Sequence, residues 1–476
     1  MPNSRILRSP SGIKDVLLVL STISILYLLL HHHHHHHLQH PIFTHLLRKP
    51  PTPSSTPTSP LSLHHILFSI ASSSSSLPRR LPYLLLWSHP NTTLTYLFLD
   101  SPTTNHTPFP TIISSPTTHF PYTFRHGLRS AIRVARIVKE TLILNLTTQS
   151  QIKWYVFGDD DTVFFTDNLL RTLSKYDHNE WYYIGSNSES YEQNEFYSFD
   201  MAFGGGGFAL SASLARVLAR VLDSCLMRYP HLYGSDARVF SCLTELGVGL
   251  THEPGFHQVD VRGDLFGMLS AHPLSPLVSL HHLDGVEPIF PGMNRTQALG
   301  HLFKAVTVDP ARILQQTVCY DRSNSLTVSV AWGYTVQVFE GNQLLPDLIS
   351  LQRTFRPWRR SKSVSSHYMF NTRDHPSDPC KRPIVFFLES VVSDTNRVWT
   401  DYTKHSSGNC LRTTSIQRLE RIRVSSQKLN YDIRQVKAPH RQCCDILPSF
   451  NKTMSLESTI SEGGLNELLG TWGLLG

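Results

Sequence analysis

The sequence of 476 residues predicts an α/β protein whose first domain has a mainly parallel sheet and whose C-terminal part is a smaller β-rich module. Three observations carry this expectation. Short apolar runs bounded by Ser- and Pro-rich turns alternate with a helical pattern up to residue 157, as strands and helices do in a parallel sheet. One of these runs ends in three adjacent carboxylates, at the carboxyl end of a strand, where such sheets place ligands. Beyond Ala311 the texture changes to a period of two, the habit of hairpin strands. At roughly 150 residues per domain, the length suits two domains plus extras.

Composition excludes several classes. Apolar residues are 40% and charged residues 17%, with 30 Pro and 7 Cys. Collagen, a coiled coil, a multi-span membrane protein and a small disulfide scaffold do not look like this. The net charge of +7 is spread along the chain. Its densest basic cluster is Arg353, Arg356, Arg359, Arg360 and Lys362, either a solvated loop or a surface for an acidic partner. No nucleic-acid fold signature is present, and no nucleic-acid partner is expected.

From the N-terminus, residues 1–15 carry Arg5, Arg8 and Lys14 and read as a cytosolic tail. Val16 to Leu30 is apolar throughout. As a helix it would be about 22 Å long, short for a ~30 Å hydrocarbon core. Its positive flank and the absence of small residues at its end favour an uncleaved signal-anchor over a cleaved leader. Residues 31–60 follow as a low-complexity stalk, from the His31–His37 run to KPPTPSSTPTSP, which cannot build a core. Residues 61–310 are expected as the α/β domain and 311–476 as the β-rich module. Five N-x-S/T sites, at Asn91, Asn105, Asn145, Asn294 and Asn451, agree with a lumenal location. None of the seven Cys lies in a C-x-x-C zinc pattern. Cys225 and Cys242 bracket one helix-loop unit and form the best candidate disulfide, and the odd count leaves at least one Cys over.

Within 61–310, His65–Ala71, Leu94–Leu99 and Pro110–Ser114 read as strands. Gly127–Leu144 reads as a helix, with Leu128, Ile132, Ala135 and Val138 on its apolar face and Arg129, Arg133 and Arg136 on a solvated one. Ile152–Phe157 is a strongly buried strand. Further on, 325–340, 383–388, 421–426 and 431–436 read as strands of the second module.

Asp159-Asp160-Asp161 is the sharpest chemical feature. Three neighbouring carboxylates need a cation to offset their repulsion. In an extended segment Asp159 and Asp161 would point one way and Asp160 the other. Two such oxygen-rich side chains suit Mg²⁺ or Mn²⁺ shared with phosphates. Gly204–Gly207 would let backbone approach a ligand closely before a helix capped by Ser211 or Ser213 and running to about Met227. Asp236 precedes another helical segment, and His281-His282-Leu283-Asp284 follows a Pro-rich stretch. Arg262-Gly263-Asp264 is read as a chance match to an adhesion tripeptide.

The blocks WYVFGDDDTVFFTDNLL, MAFGGGGFALS, LYGSDARVFSCLTELGVGLTHEPGFHQVDVRGD, AHPLSPLVSLHHLD, SLTVSVAWGY and RQCCDI together resemble the Fringe-like branch of the β-1,3-glycosyltransferase superfamily. The resemblance is nearest to the plant Fringe-related proteins of unassigned substrate, and it covers roughly Leu63 to Ile446. It is weaker over Ser72–Trp87. It implies a GT-A fold, a type II Golgi membrane protein with a lumenal catalytic part, and an inverting transfer of a hexosyl residue from a UDP-sugar, with Mn²⁺ or Mg²⁺, to a hydroxyl of a glycan or glycoprotein acceptor. By that resemblance Asp159 and Asp161 are the metal ligands, with His282 as the second protein site and His281 as the fallback. Asp159, Asp160 and Gly204, Gly205, Gly206 and Gly207 border the nucleotide-sugar. Asp236 is the general base that takes the acceptor proton. Two other classes stay open: metal-assisted phosphoryl chemistry on the same carboxylates, and a membrane-tethered, catalytically inactive glycan-binding or scaffold protein with the same fold.

Overall fold

The computed structural model describes residues 20–22, 24–25 and 60–459, apart from 105, 145–150, 359–366, 406–409, 411, 413, 431–432 and 451–452. Most of the expected anchor and stalk therefore lies outside the described residues. Residues 20–22 and 24–25 are helical, and among the described residues no helix is long and apolar enough to cross a membrane.

Leu61–Gly476 is one compact unit. Its first layer is a seven-stranded sheet. The strands are β1 (Ile66–Ala71), β2 (Leu94–Leu99), β3 (Thr111–Ile113), β4 (Trp154–Asp159), β5 (Tyr183–Gly185), β6 (Phe208–Ser211) and β7 (Leu250–His252). The order is β3-β2-β1-β4-β6-β5-β7, and only β6 runs antiparallel to its neighbours. The apolar runs explain the burial of both faces. Ile66, Phe68, Trp154 and Val156 point into one core, and Leu67, Tyr155 and Phe157 into the other.

On the second face lie α2 (Ser130–Ile143), α3 (Ala212–Leu226) and α4 (Ser235–Glu245). The helix expected over 127–144 starts three residues later, and Leu128 is exposed. Of its expected solvated Arg face only Arg129, just before the helix, is exposed. Arg136 is buried and pairs with Glu140 and with Asp223 of α3, and Arg133 donates to the Phe98 and Ser72 carbonyls. Charge on this helix is therefore used for helix packing, because each guanidinium finds fixed acceptors. Cys225 and Cys242 are disulfide-bonded and join α3 to α4. Opposite, α1 (Leu77–Trp87) packs Leu77, Tyr83, Leu84 and Trp87 into the first core, with Pro78 in its first turn and Pro82 inside it.

The second layer is an eight-stranded sheet: β8 (Gln316–Asp321), β9 (Leu326–Ala331), β10 (Thr335–Glu340), β11 (Ile384–Ser393), β12 (Arg397–Lys404), β13 (Arg421–Gln427), β14 (Cys443–Phe450) and β15 (Thr453–Thr459). Its order is β8-β9-β10-β11-β12-β13-β15-β14, mostly antiparallel. Cys319–Cys444 and Cys380–Cys410 are further disulfides. The strand expected at 431–436 is not there: Ile433–Lys437 is a short helix, with Val436 its one buried residue. Val328, Val336 and Phe386 join the same core as Ile66 and Val156, and α5 (Arg295–Val308) contributes Leu299, Leu302 and Ala305 to it. Of the glycosylation candidates, Asn91 is an exposed turn residue and Asn294 caps α5 through its side-chain oxygen. Asn105, Asn145 and Asn451 lie outside the described residues.

Candidate active site

The central strand β4 delivers the three carboxylates. Asp159 is its last residue, and the chain then turns, with Thr162 N donating to Asp159 O at 3.0 Å. The segment is thus a turn rather than an extended strand. The division among the side chains follows the turn. Asp160 accepts from Ser72 Oγ at 2.7 Å and Ser76 Oγ at 2.5 Å, on the loop after β1. Asp159 and Asp161 face His281.

A small second sheet brings His281 there. Val163–Phe164, which follows the turn, pairs antiparallel with Ser279–Leu280, which pairs parallel with Phe256–His257. Leu280 opposes Val163, so the next residue sits beside the carboxylate turn. His281 Nε2 is 3.1 Å from Asp161 Oδ1 and 3.9 Å from Asp159 Oδ2. One atom of each of Asp159, Asp161 and His281 lies within 4.8 Å of the others.

His282 is not part of this cluster, although its ring lies against that of His281, with centroids 3.9 Å apart. Its backbone is left-handed, with φ 51°. Its Nδ1 lies 3.1 Å from Asp260 Oδ1, and its ring stacks on Trp358 at 4.3 Å and 8°. The geometry thus groups His281, not His282, with the two carboxylates.

The glycine loop packs against both ends of the site. Thr162 Oγ1 donates to Gly205 O at 2.7 Å and accepts from Asp159 N at 2.8 Å, tying loop to turn. A methyl group on Gly205 would sit 2.1 Å from His281 Cε1, so only glycine leaves room for the ring. Gly207, at φ +85°, starts the chain into β6, so a strand intervenes before helix α3. The Gly206 N–H is taken by Gln258 Oε1 at 2.6 Å.

Asp236 is the second residue of α4. It lines a recess with Asp159 and Gly204, and also a cleft of ≈ 250 Å³ with Tyr197, Tyr233, Gln258, Asp260 and Trp358. A Cβ on Gly204 would come within 2.6 Å of Asp236 Oδ1.

Electrostatics separate the carboxylates. Asp159 is recessed among protein atoms although its side chain is 41% exposed to the cleft. Removal from water pushes it up to about 7, with Asp161 and Asp236 adding to the rise and His281 opposing it. Burial pushes Asp161 the same way, but His281 and Arg80 outweigh it and hold this carboxyl well below the usual range. Burial lowers His281, yet Asp161 and Asp159 raise it to about 9. Burial raises Asp236 against its bonds to Ser235 and Gly204 and the charge of His281. Burial also raises Asp160, so the site contains one firmly ionised carboxylate, Asp161, and three less acidic ones.

Several residues here carry no local motif. Arg80 of α1 reaches Asp161 Oδ2 at 2.5 Å and Asp284 Oδ2 at 3.1 Å, and Tyr83 OH donates to Asp284 Oδ1. Gln258 and Asp260 share the loop after Phe256–His257, and Trp358 arrives from another segment.

A family profile described as Fringe-like matches residues 61–269. A second, described as "Protein of unknown function, DUF604", matches residues 193–444, just over half of the chain. The chain belongs to the Fringe-related β-1,3-glycosyltransferase family. The large parallel-rich sheet of this Fringe-related chain fits a GT-A-like domain. It is 31% identical over 145 residues to a "Beta-1,3-glucosyltransferase" of Mus musculus, covering 30% of this chain and 27% of the relative. It is 32% identical over 111 residues to a "Beta-1,3-glucosyltransferase" of Homo sapiens, covering 23% and 21%. The chain thus spans about a quarter of the length of these curated relatives.

Proposed function

We propose that the chain is a metal-dependent, inverting β-1,3-glycosyltransferase that moves a hexosyl residue from a UDP-sugar to a glycan hydroxyl. The observation that carries this reading is the grouping of Asp159, Asp161 and His281 within 4.8 Å, with Asp236 in the same recess as Asp159. Family membership and the glucosyltransferase names of the two relatives support the reaction class.

Two carboxylates and an imidazole fit a Mn²⁺ or Mg²⁺ ion. The His281 ring is buried, and its Nδ1 has no hydrogen-bond partner. When bound, such an ion neutralises charge developing on a nucleoside diphosphate leaving group. The chain's own residues do the rest. Asp161 and His281 orient the diphosphate end, and Arg80 adds a positive charge at the same mouth. Gly204–Gly207 give a side-chain-free floor for the donor sugar. Asp236 accepts the proton from the acceptor hydroxyl as the new bond forms, which suits a carboxylate whose basicity is raised by burial. Tyr197, Tyr233 and Trp358 offer aromatic surface to the acceptor. The N-terminal apolar run would anchor the protein in a Golgi membrane as a type II protein, with residues 61–476 in the lumen.

Thermal stability of the full chain with UDP, with and without Mn²⁺, tests this. Ligand at 100 times its Kd should add about 2.7 kcal/mol. A Tm rise that needs both UDP and Mn²⁺, and is absent in Asp161→Ala, is expected. No rise in folded wild type would favour a non-catalytic scaffold.

A further inference from the structure

A cavity of ≈ 520 Å³ opens where segments 264–291 and 334–405 meet. It shares no lining residue with the recesses around Asp236. Its volume is in the range of small-molecule sites.

Its lining combines two features. Phe266, Tyr334 and Phe387 supply aromatic surface, with Phe387 set edge-on to both other rings at 5.9 and 5.8 Å. Two other lining residues each carry a polar atom without a protein partner. Gln352 is 2% exposed, and its Oε1 is buried with no hydrogen-bond partner. His375 Nδ1 is likewise buried and unpartnered. Buried polar atoms are normally bonded, and each one left unpaired costs free energy in a dry site.

The chemistry narrows the occupant. An acyl chain would cover the rings but leave Gln352 and His375 unpaired. A phosphate or carboxylate would meet the carboxylates of Asp264 and Glu287. The nearby cation, Arg382, already donates to the Pro376 and Ser377 carbonyls. A neutral polyhydroxylated ring satisfies both features, with C–H faces on the aromatics and hydroxyls on the amide and imidazole. We propose that this cavity is a second carbohydrate site, holding a neutral unit of one or two sugars apart from the cleft around Asp236.

The test is saturation-transfer NMR on the full chain, in the presence of EDTA. The probes are cellobiose, lactose and N,N′-diacetylchitobiose, each at millimolar concentration. Transfer to at least one probe is expected in wild type and unchanged in Asp161→Ala and Asp236→Asn. Gln352→Leu and His375→Leu remove only unpaired polar groups and should keep the wild-type Tm. Each should weaken that binding about tenfold, the loss of one good hydrogen bond. No transfer to any probe in wild type overturns the proposal. So does transfer that survives both cavity variants, or that disappears in Asp161→Ala, which would place the sugar in the metal-site cleft.

Discussion

Val163 and Leu280 are antiparallel partners, and their pairing sets His281 Nε2 3.1 Å from Asp161 Oδ1. Residues 120 apart in the chain are thus brought together by two-residue strands, one directly after the carboxylate turn and one directly before the histidine. The left-handed backbone of His282 then sends the second imidazole to Asp260 and Trp358.

The different polar partners, Asp161 for His281 and Asp260 for His282, separate the roles of the two histidines. Outer-shell partners of a metal site typically cost 10–100-fold in affinity when lost, and a direct ligand costs at least as much. His281→Ala should therefore weaken Mn²⁺ binding, read by calorimetry, by that amount or more. His282→Ala should weaken it distinctly less and act on acceptor KM instead. The reverse ranking would restore His282 to the ligand set.

Asp236 and Asp159 share a recess but not a role. Asp236→Asn keeps the shape and removes the proton acceptor. A general base contributes about 10²–10⁴-fold. Transfer rate should fall by that factor, while Mn²⁺-dependent UDP affinity stays at the wild-type value. Turnover near the wild-type rate would remove Asp236 as the base.

Two glycines of opposite surroundings give a stability test. A Cβ at Gly205 would lie 2.1 to 2.6 Å from three atoms of the His281 ring, whereas one at Gly300, inside α5, meets nothing within 4 Å. Gly205→Ala should cost about 1–3 kcal/mol by overpacking and should weaken Mn²⁺ binding as well. Gly300→Ala should stabilise by about 0.5–1 kcal/mol, since alanine loses less backbone entropy in a helix. Chemical denaturation reads both. Equal effects would mean that the ring of His281 yields freely.

The sheet was readable in the sequence because β1, β2 and β4 are continuous apolar runs, buried on both faces. The hairpin of β9 and β10 was readable from its period of two. Helix α1 was not, because Pro78, Pro82 and the preceding serines look like a turn and only the packing of Tyr83, Leu84 and Trp87 makes it a helix. The residues Ile433–Lys437 contain a single buried side chain, too few to distinguish a strand from a helical turn. At the site, a run of aspartates and a run of glycines mark themselves by composition. Arg80, Gln258, Asp260 and Trp358 do not, because isolated residues from a helix, one loop and a distant segment have no common spacing to read. Nor does a histidine pair reveal which ring faces inward, since that depends on one backbone angle.

His272 carries the pH prediction. It is buried, and its Nδ1–H donates to the Pro273 carbonyl at 2.8 Å. Its Nε2 is therefore the acceptor for His257 Nε2, 2.9 Å away. His257 in turn lies 3.1 Å from Glu189. Burial, reinforced by His257, holds the His272 pKa well below its ordinary value of 6.5. The folded protein thus keeps this ring neutral while the unfolded chain takes up a proton below about pH 6.5. More protons bind to the unfolded state there, so stability falls as pH drops. The contribution is complete above pH 6.5 and is lost progressively below it. Between pH 7.5 and 5.5 His272 lowers the wild-type Tm, while Asp159 and His281, both raised in the fold, act in the opposite direction. His272→Gln retains a donor and an acceptor but cannot titrate, so the difference between variant and wild-type Tm should grow in the variant's favour over that interval. An identical slope in wild type and variant would assign the acid sensitivity to some other buried group.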